Sequence, residues 1–320
     1  MTRDFGIAVA ERYDLGAVKA VARAHRGAMG QMWRLRTTLG EFAVKEFFWG
    51  AEEAAVAREV DFCRRAVDAG VRAPACVPAA NGSFTARVGG AAVRVYEWVD
   101  GEAINQPTME IAQWAGRTLA IIHSLKYPAN RHIVDPWYTA IPAIEEFVAL
   151  AGRARSMNIS WGDALHDALP RIDGLVRSLP EEGPTSAPIY CHHDMQPQNI
   201  LLTRQGPYLV DWDDAGPAYP DRELLTMLYC WGPQSGDPRL AREVANAYRR
   251  SGVDRLPIDY GAFRELVADT TNYVKAQAEL ALHADTAEDM RGYANNAVVR
   301  TVAGLPTPER LNNLLDVIQS

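Results

Sequence analysis

The chain has 320 residues, 48% of them apolar and 23% charged, with a formal net charge of −7. That length allows two parts with a core each, and the composition excludes a disordered, fibrous or membrane-spanning chain, since no apolar run nears the roughly 20 residues that cross a bilayer. Charge is uneven, with 14 Lys and Arg against 12 Asp and Glu in residues 1–100 and 19 against 28 beyond, so an acidic second part argues against a nucleic-acid partner and suits either solubility or a cationic small ligand.

Met1 to Phe5 lack the apolar core of a signal peptide, which makes the cytoplasm the expected compartment. Ile7 to Tyr13 read as a short helix. Three strand-like segments follow, Val18 to His25, Gln31 to Thr38 and Glu41 to Phe48, the last two joined by a turn at Thr38-Leu39-Gly40. Gly27 and Gly30 mark the turn between the first two. Backbone without side chains can approach a phosphate closely, although two glycines without the full G-x-G-x-x-G pattern also describe an ordinary turn. Lys45 sits in the alternating run Phe42-Ala43-Val44-Lys45-Glu46-Phe47. A helix over Glu52 to Ala69 is closed by Gly70 and carries the stripe Val56, Val60, Cys63 and Val67. Glu59 borders that stripe, placed to point at Lys45. Further strands are expected at Ser83 to Arg87 and Ala91 to Trp98, and the composition changes at Glu97-Trp98-Val99-Asp100-Gly101.

From Pro107 onward the pattern is helical. Ile111, Trp114, Ala115, Thr118, Leu119 and Ile122 recur at helical spacing up to His123, which reads as a packed residue rather than a ligand. Residues 128–187 form an insertion with helices near 139–153 and 161–179 and a Pro/Gly-rich link at 180–188. Then Ile189-Tyr190-Cys191 delivers His192, His193 and Asp194 onto a loop, Asn199 follows five residues later, and the strand-like runs Ile200 to Leu202 and Tyr208 to Val210 flank a turn before Asp211. A hairpin of those runs puts Asn199 and Asp211 at one end, with Asp194 just before it. The expectation is that the three oxygen-bearing side chains converge.

A pattern H-x-D-x-x-x-x-N followed by a strand-borne Asp is the signature of kinase-type phosphoryl transfer. Hard oxygen ligands hold Mg²⁺ against the phosphates, and a carboxylate relieves the acceptor hydroxyl of its proton. An isolated H-x-D is usually a turn with a capping Asp; the Asn at plus five and the strand-borne Asp speak against that. A metal-hydrolase site is poorly supported, because the other His residues form no second ligand group. Asp213 and Asp214 could meet a cationic substrate or a second metal. Tyr219 to Leu224 open a helix in which Asp221 and Glu223 read as structural. Helices at 238–251, 258–283, 286–302 and 306–318 complete the chain; Tyr229, Trp231 and Tyr273 are core residues or pocket walls. Cys63, Cys76, Cys191 and Cys230 lack C-x-x-C spacing and read as reduced, mostly buried thiols.

The segment His192-His193-Asp194-Met195-Gln196-Pro197-Gln198-Asn199-Ile200-Leu201, with Val210-Asp211-Trp212, resembles the aminoglycoside phosphotransferase and choline kinase superfamily, which reads H-G-D-x-x-x-x-N-I-L and then I-D-[FW]. His193 departs from its Gly. The resemblance extends to Lys45 in a V-A-I-K-like strand and to Leu119 to Leu125. It implies an α+β, protein-kinase-like bilobal fold, with a small antiparallel-sheet lobe at 1–98 for nucleotide and a larger, mostly helical lobe at 99–320 for catalysis and acceptor binding. It implies ATP and Mg²⁺ as cofactors. In that reading Lys45 and Glu59 pair beside the nucleotide phosphates, Gly27 and Gly30 cover them, and Glu97, Trp98 and Val99 read the adenine edge. Asn199 and Asp211 hold the metal, Asp194 takes the acceptor proton, His192 braces the loop, and His193, Asp213 and Asp214 line the acceptor side. The implied reaction phosphorylates a hydroxyl on a small molecule, an aminoglycoside-like or other natural-product antibiotic. The alternatives are a metabolic kinase for choline, homoserine, methylthioribose or an amino sugar, and a nucleotide-binding protein without transfer activity. A monomer or homodimer fits either.

Overall fold

Alternation along the first hundred residues produces an antiparallel sheet, seen in a computed structural model that describes residues 2–48, 50, 52–129, 134–181, 186–253 and 258–319. Strands β1 (Val18–Arg26), β2 (Gly30–Thr37), β3 (Glu41–Phe47), β4 (Cys76–Val77), β5 (Ala86–Val88) and β6 (Ala91–Glu97) pair in the order β1-β2-β3-β6-β4, with β5 also on β6. The edge strand β1 is largely exposed and carries Lys19, Arg23 and Arg26, charges that discourage pairing with another chain. Gly30 is a glycine for space: a Cβ there would lie 2.5 Å from the Glu46 carbonyl oxygen on the neighbouring strand. Helix α1 (Arg3–Arg12), capped by the Thr2 hydroxyl, covers the sheet with Val9, Ala10 and Tyr13 against Leu35, Val44, Val93 and Val95.

Helix α2 (Glu53–Asp68) buries Val56, Glu59, Val60, Phe62 and Ala66. The expected stripe is therefore rotated: Val67 is exposed, while Phe62 turns inward and meets Trp212 edge to face at 5.8 Å. Phe62 buries more apolar area than the Cys63 thiol and decides the register. The expected strand at Ser83 to Arg87 shrinks to β5, because Glu53 accepts the Phe84 N–H and the Thr85 hydroxyl and holds the preceding residues as a turn.

The chain divides into two units, residues 1–105 with 197–215, and residues 106–196 with 216–320. In the first unit, β9 (Ile200–Thr203) and β10 (Gly206–Leu209) form the expected hairpin, and β7 (Glu102–Ala103) pairs with β9. The second unit is helical. Helix α3 (Met109–Ser124) starts from a Thr108 cap rather than at Pro107 itself. A four-residue helix α4 (Pro136–Thr139), α5 (Ile144–Ser156) and α6 (Trp161–Ser178) occupy the insertion. Part of the Pro/Gly-rich link, 182–185, lies outside the described residues. Helix α7 (Pro220–Trp231) is followed by α8 (Pro238–Arg250), α9 (Arg264–Leu282), α10 (Glu288–Ala303) and α11 (Pro308–Gln319). Phe147, Leu150, Trp161, Leu165, Ile172, Val274 and Val298 form the core that joins α5, α6, α9 and α10. Strand β8 (Ile189–Cys191) pairs with β11 (Gly216–Ala218), a strand without a sequence signal because Gly-Pro-Ala has no β preference. Among the described residues no helix is long and apolar enough to cross a membrane. All four cysteines are free, and burial drives the Cys63, Cys76 and Cys230 thiols up to about 12, 11 and 12, which suits inert packing rather than reactivity.

Candidate active site

In the first unit, the β9–β10 hairpin ends with the Val210 N–H donating to the Asn199 carbonyl at 2.9 Å, so Asn199 and Asp211 stand at one end of it. Asp211 is half exposed and has φ 61°, a left-handed backbone that side chains adopt at a cost. Its Oδ1 accepts a 2.7 Å hydrogen bond from Lys45 Nζ. Lys45 also pairs with Asp213, whose other oxygen accepts from Arg94 at 2.8 Å and from the Tyr96 hydroxyl at 2.7 Å. Burial works to lower the Lys45 ammonium, but the charges of Asp213 and Asp211 overcome it and push it up. Burial likewise works to raise the Asp213 carboxyl, and Lys45 and Arg94 overcome it and hold it down.

Two expectations change here. Glu59 does not serve as the partner of Lys45: its two oxygens accept from Arg94 at 3.0 and 2.7 Å. Arg94 reaches Glu59 first because its fork matches a carboxylate bidentately, which an ammonium cannot do. Asp213, expected on the acceptor side, has its carboxylate taken by Lys45, Arg94 and Tyr96, with 9% of its side chain exposed. Asp214 is exposed. Of the segment expected to read adenine, the Glu97 and Trp98 N–H groups already donate to the Ala75 and Glu41 carbonyls. Those two donors are therefore engaged within the sheet, and Val99 precedes the short β7. Gly27 has no heavy atom within 4 Å of where its Cβ would stand, so its backbone is open to a close approach.

In the second unit, β8 carries the chain into His192, His193 and Asp194, and one buried carboxylate organises the loop. Glu223 Oε1 accepts the N–H groups of His192 and His193 at 2.9 and 2.6 Å. Its Oε2 lies 2.6 Å from His123 Nε2, and His123 Nδ1 lies 2.8 Å from the Tyr248 hydroxyl. His123 is thus a bracing residue and Glu223 a structural one. His192 Nδ1 accepts the Asp194 N–H at 3.2 Å, and the Trp231 indole donates to the Met195 carbonyl at 2.8 Å. Trp231 and Tyr229 are buried core residues. His193 has φ 68°, stacks on Tyr138 with ring centroids 4.0 Å apart, and sits 3.5 Å from Glu265.

The sequence model described as a phosphotransferase enzyme family matches residues 21–266. The chain belongs to that family. No curated protein sequence matches it. By fold, a spectinomycin phosphotransferase solved with ADP and spectinomycin aligns over 98% of this chain and 97% of its own, with a TM-score of 0.66 at 12% identity. The amicoumacin kinase hAmiN, in complex with AMP-PNP, Ca²⁺ and Ami, aligns over 96% and 95%, with a TM-score of 0.58 at 15% identity. A choline/ethanolamine kinase family protein from Mesorhizobium loti aligns over 99% of both chains, with a TM-score of 0.52 at 17% identity. The phosphotransferase family inferred from the motif is the one matched, the α+β, kinase-like fold is the one found, and the protein is a phosphotransferase.

Within this phosphotransferase, His193 holds a positive φ of 68°, a backbone conformation that glycine adopts at no steric cost. The imidazole is retained here by the Tyr138 ring and Glu265. Sequence reading missed Arg94, Tyr96, Tyr138, Glu265 and Asp269. Burial raises the Glu265 and Asp269 carboxyls, with His193 opposing in the first case and the Trp137 indole, 2.6 Å from Asp269, opposing in the second. Only Arg94 carried a usable signal, a charge inside the apolar run Ala91 to Tyr96.

Glu223 also sets an acid limit. Burial works to raise its carboxyl, but the His123 hydrogen bond and the His123 and His193 charges hold it down to about 2 from an ordinary 4.5. A depressed carboxyl contributes stability above its unfolded value, lost as pH falls through the folded one. Acid unfolding of the wild type should therefore lose on the order of 3 kcal/mol between pH 4.5 and 2 through this group. Glu223→Gln should be less stable at neutral pH and flatter across that window; an unchanged slope contradicts the assignment.

Proposed function

We propose that the protein transfers the γ-phosphoryl group of ATP, with Mg²⁺, to a hydroxyl of an aminated natural-product antibiotic. The observation that carries the reading is the pairing of Lys45 with Asp211, residues 166 apart in sequence, at the hairpin end that also bears Asn199. A buried lysine whose ammonium is stabilised by Asp213 and Asp211, the latter half exposed, suits the phosphate oxygens of a nucleotide. Asn199 and Asp211 supply hard oxygen donors, and a carboxylate and an amide from adjacent chain ends fit a magnesium site. The metal, when bound, neutralises charge on the transferred group. Lys45 holds the α- and β-phosphates, Gly27 leaves backbone room beside them, and Asp194 orients the acceptor hydroxyl and accepts its proton. His192 fixes Asp194 through its main chain.

The second unit's own residues support this acceptor class. The buried Glu265 and the partly buried Asp269 place carboxylates near His193, and Trp137 and Tyr138 add aromatic faces, a setting that favours an ammonium-bearing ligand. The structural neighbours that phosphorylate spectinomycin and amicoumacin support an antibiotic. The choline/ethanolamine kinase neighbour favours the second reading, a metabolic kinase for a small amino alcohol. An ATP-consumption assay with Mg²⁺ over aminoglycosides, amicoumacin-like antibiotics, choline, ethanolamine and amino sugars separates them. Turnover confined to antibiotics, with raised resistance of expressing cells, is the expected result; turnover confined to amino alcohols replaces the first reading with the second.

A further inference from the structure

Lys45 and Arg94 are paired residues on the adjacent strands β3 and β6. Like charges directly opposite each other repel, and both are buried, Lys45 being 8% and Arg94 1% exposed. Shared carboxylates make the arrangement stable. The Arg94 guanidinium grips Glu59 on α2 with two nitrogens at 3.0 and 2.7 Å, and the first of them also reaches Asp213 at 2.8 Å. The Tyr96 hydroxyl donates to the same Asp213 oxygen, and the opposite oxygen meets Lys45. An unbroken series of ion pairs thus runs Glu59–Arg94–Asp213–Lys45. Asp213 is nearly enclosed by these donors, whereas Asp211 holds Lys45 by one oxygen and is 44% exposed in its side chain.

We propose that Arg94 is the positioning residue of the nucleotide site, carrying the anchorage of helix α2 to Lys45 through Asp213. Asp213 is then the lasting counter-ion of the lysine. Asp211 is the one that can leave it for a metal ion. A guanidinium suits the place best because one planar group addresses two carboxylates on different elements; an ammonium there keeps the charge but has a single charge centre and a shorter reach. The inference rests on the reading of Lys45 as the phosphate-binding residue, and its test separates the two.

The experiment compares wild type, Lys45→Met, Arg94→Met, Arg94→Lys and the double variant Glu59→Leu/Arg94→Met. Three quantities are measured: the melting temperature without ligand, the Kd of a fluorescent ADP analogue in EDTA, and KM for ATP alongside kcat. Lys45→Met and Arg94→Met should each weaken analogue binding about tenfold or more, with KM rising by a larger factor than kcat falls. Arg94→Lys should recover part of it, to within about threefold of wild type. Arg94→Met leaves Glu59 buried and unpaired and lowers the melting temperature; the double variant removes both charges and should regain stability while its nucleotide affinity stays low. If the restabilised double variant binds the analogue as tightly as wild type, Arg94 is merely structural and the proposal fails. If Lys45→Met is weak while every folded Arg94 variant binds normally, the relay alone fails. If Lys45→Met itself binds normally, the phosphate-binding reading fails and the relay with it.

Discussion

Asp194→Asn should lower kcat by about 10³-fold while leaving nucleotide affinity within about twofold of wild type. The two side chains are nearly isosteric, so the exchange removes proton-accepting capacity and little else. The loop that carries the residue is held by contacts at other groups, by Glu223 on the His192 and His193 N–H groups, by His192 on the Asp194 N–H and by Trp231 on the Met195 carbonyl. A folded variant is therefore expected, with an unchanged melting profile. Steady-state kinetics on the best acceptor, with equilibrium binding of ATP, decide the matter. An Asp194→Asn enzyme that keeps a tenth or more of wild-type kcat removes the residue from proton transfer. A parallel loss of ATP affinity instead moves Asp194 to the nucleotide.

Asp211→Asn should abolish the tightening of nucleotide binding by Mg²⁺, a loss of roughly 100-fold in Kd at saturating metal, while binding in EDTA changes little. Asn is the better probe than Ala because Asp211 sits at φ 61°, a region that Asn tolerates and Ala resists. Lys45 keeps Asp213, which preserves the buried ammonium and the hairpin end. Titration of Mg²⁺ at fixed nucleotide, followed by calorimetry, gives the answer. A variant whose metal dependence matches wild type assigns the metal to other oxygens. The two variants separate the halves of the reaction, since Asp194→Asn spares nucleotide binding and Asp211→Asn spares the acceptor base.

The local grammar of the chain already contained the motif chemistry. H-x-D-x-x-x-x-N and the strand-borne Asp211 are short-range patterns, and the turn between β9 and β10 closes within a few residues, so spacing alone places Asn199 and Asp211 together. Hydrophobic periodicity likewise gave away the long helices, with the start of α3 shifted to the Thr108 cap, whose hydroxyl accepts the Ile111 N–H; the short α4, capped by Asp135, had no such periodicity. Charge partners were another matter. Glu59 sits at a position from which either Lys45 or Arg94 is reachable, and helical spacing cannot choose between them. Only the packed sheet, by facing Arg94 toward Lys45 and bringing Asp213 between them, awarded Glu59 to Arg94. The same holds for Glu223, His123 and Tyr248, drawn from three helices far apart in sequence, and for the Tyr138–His193 stack, which keeps an imidazole where the backbone prefers glycine. Motifs within a turn or a hairpin are set by local propensity, whereas the counter-ion of a buried charge is settled by which distant side chains the folded core brings within about 3 Å.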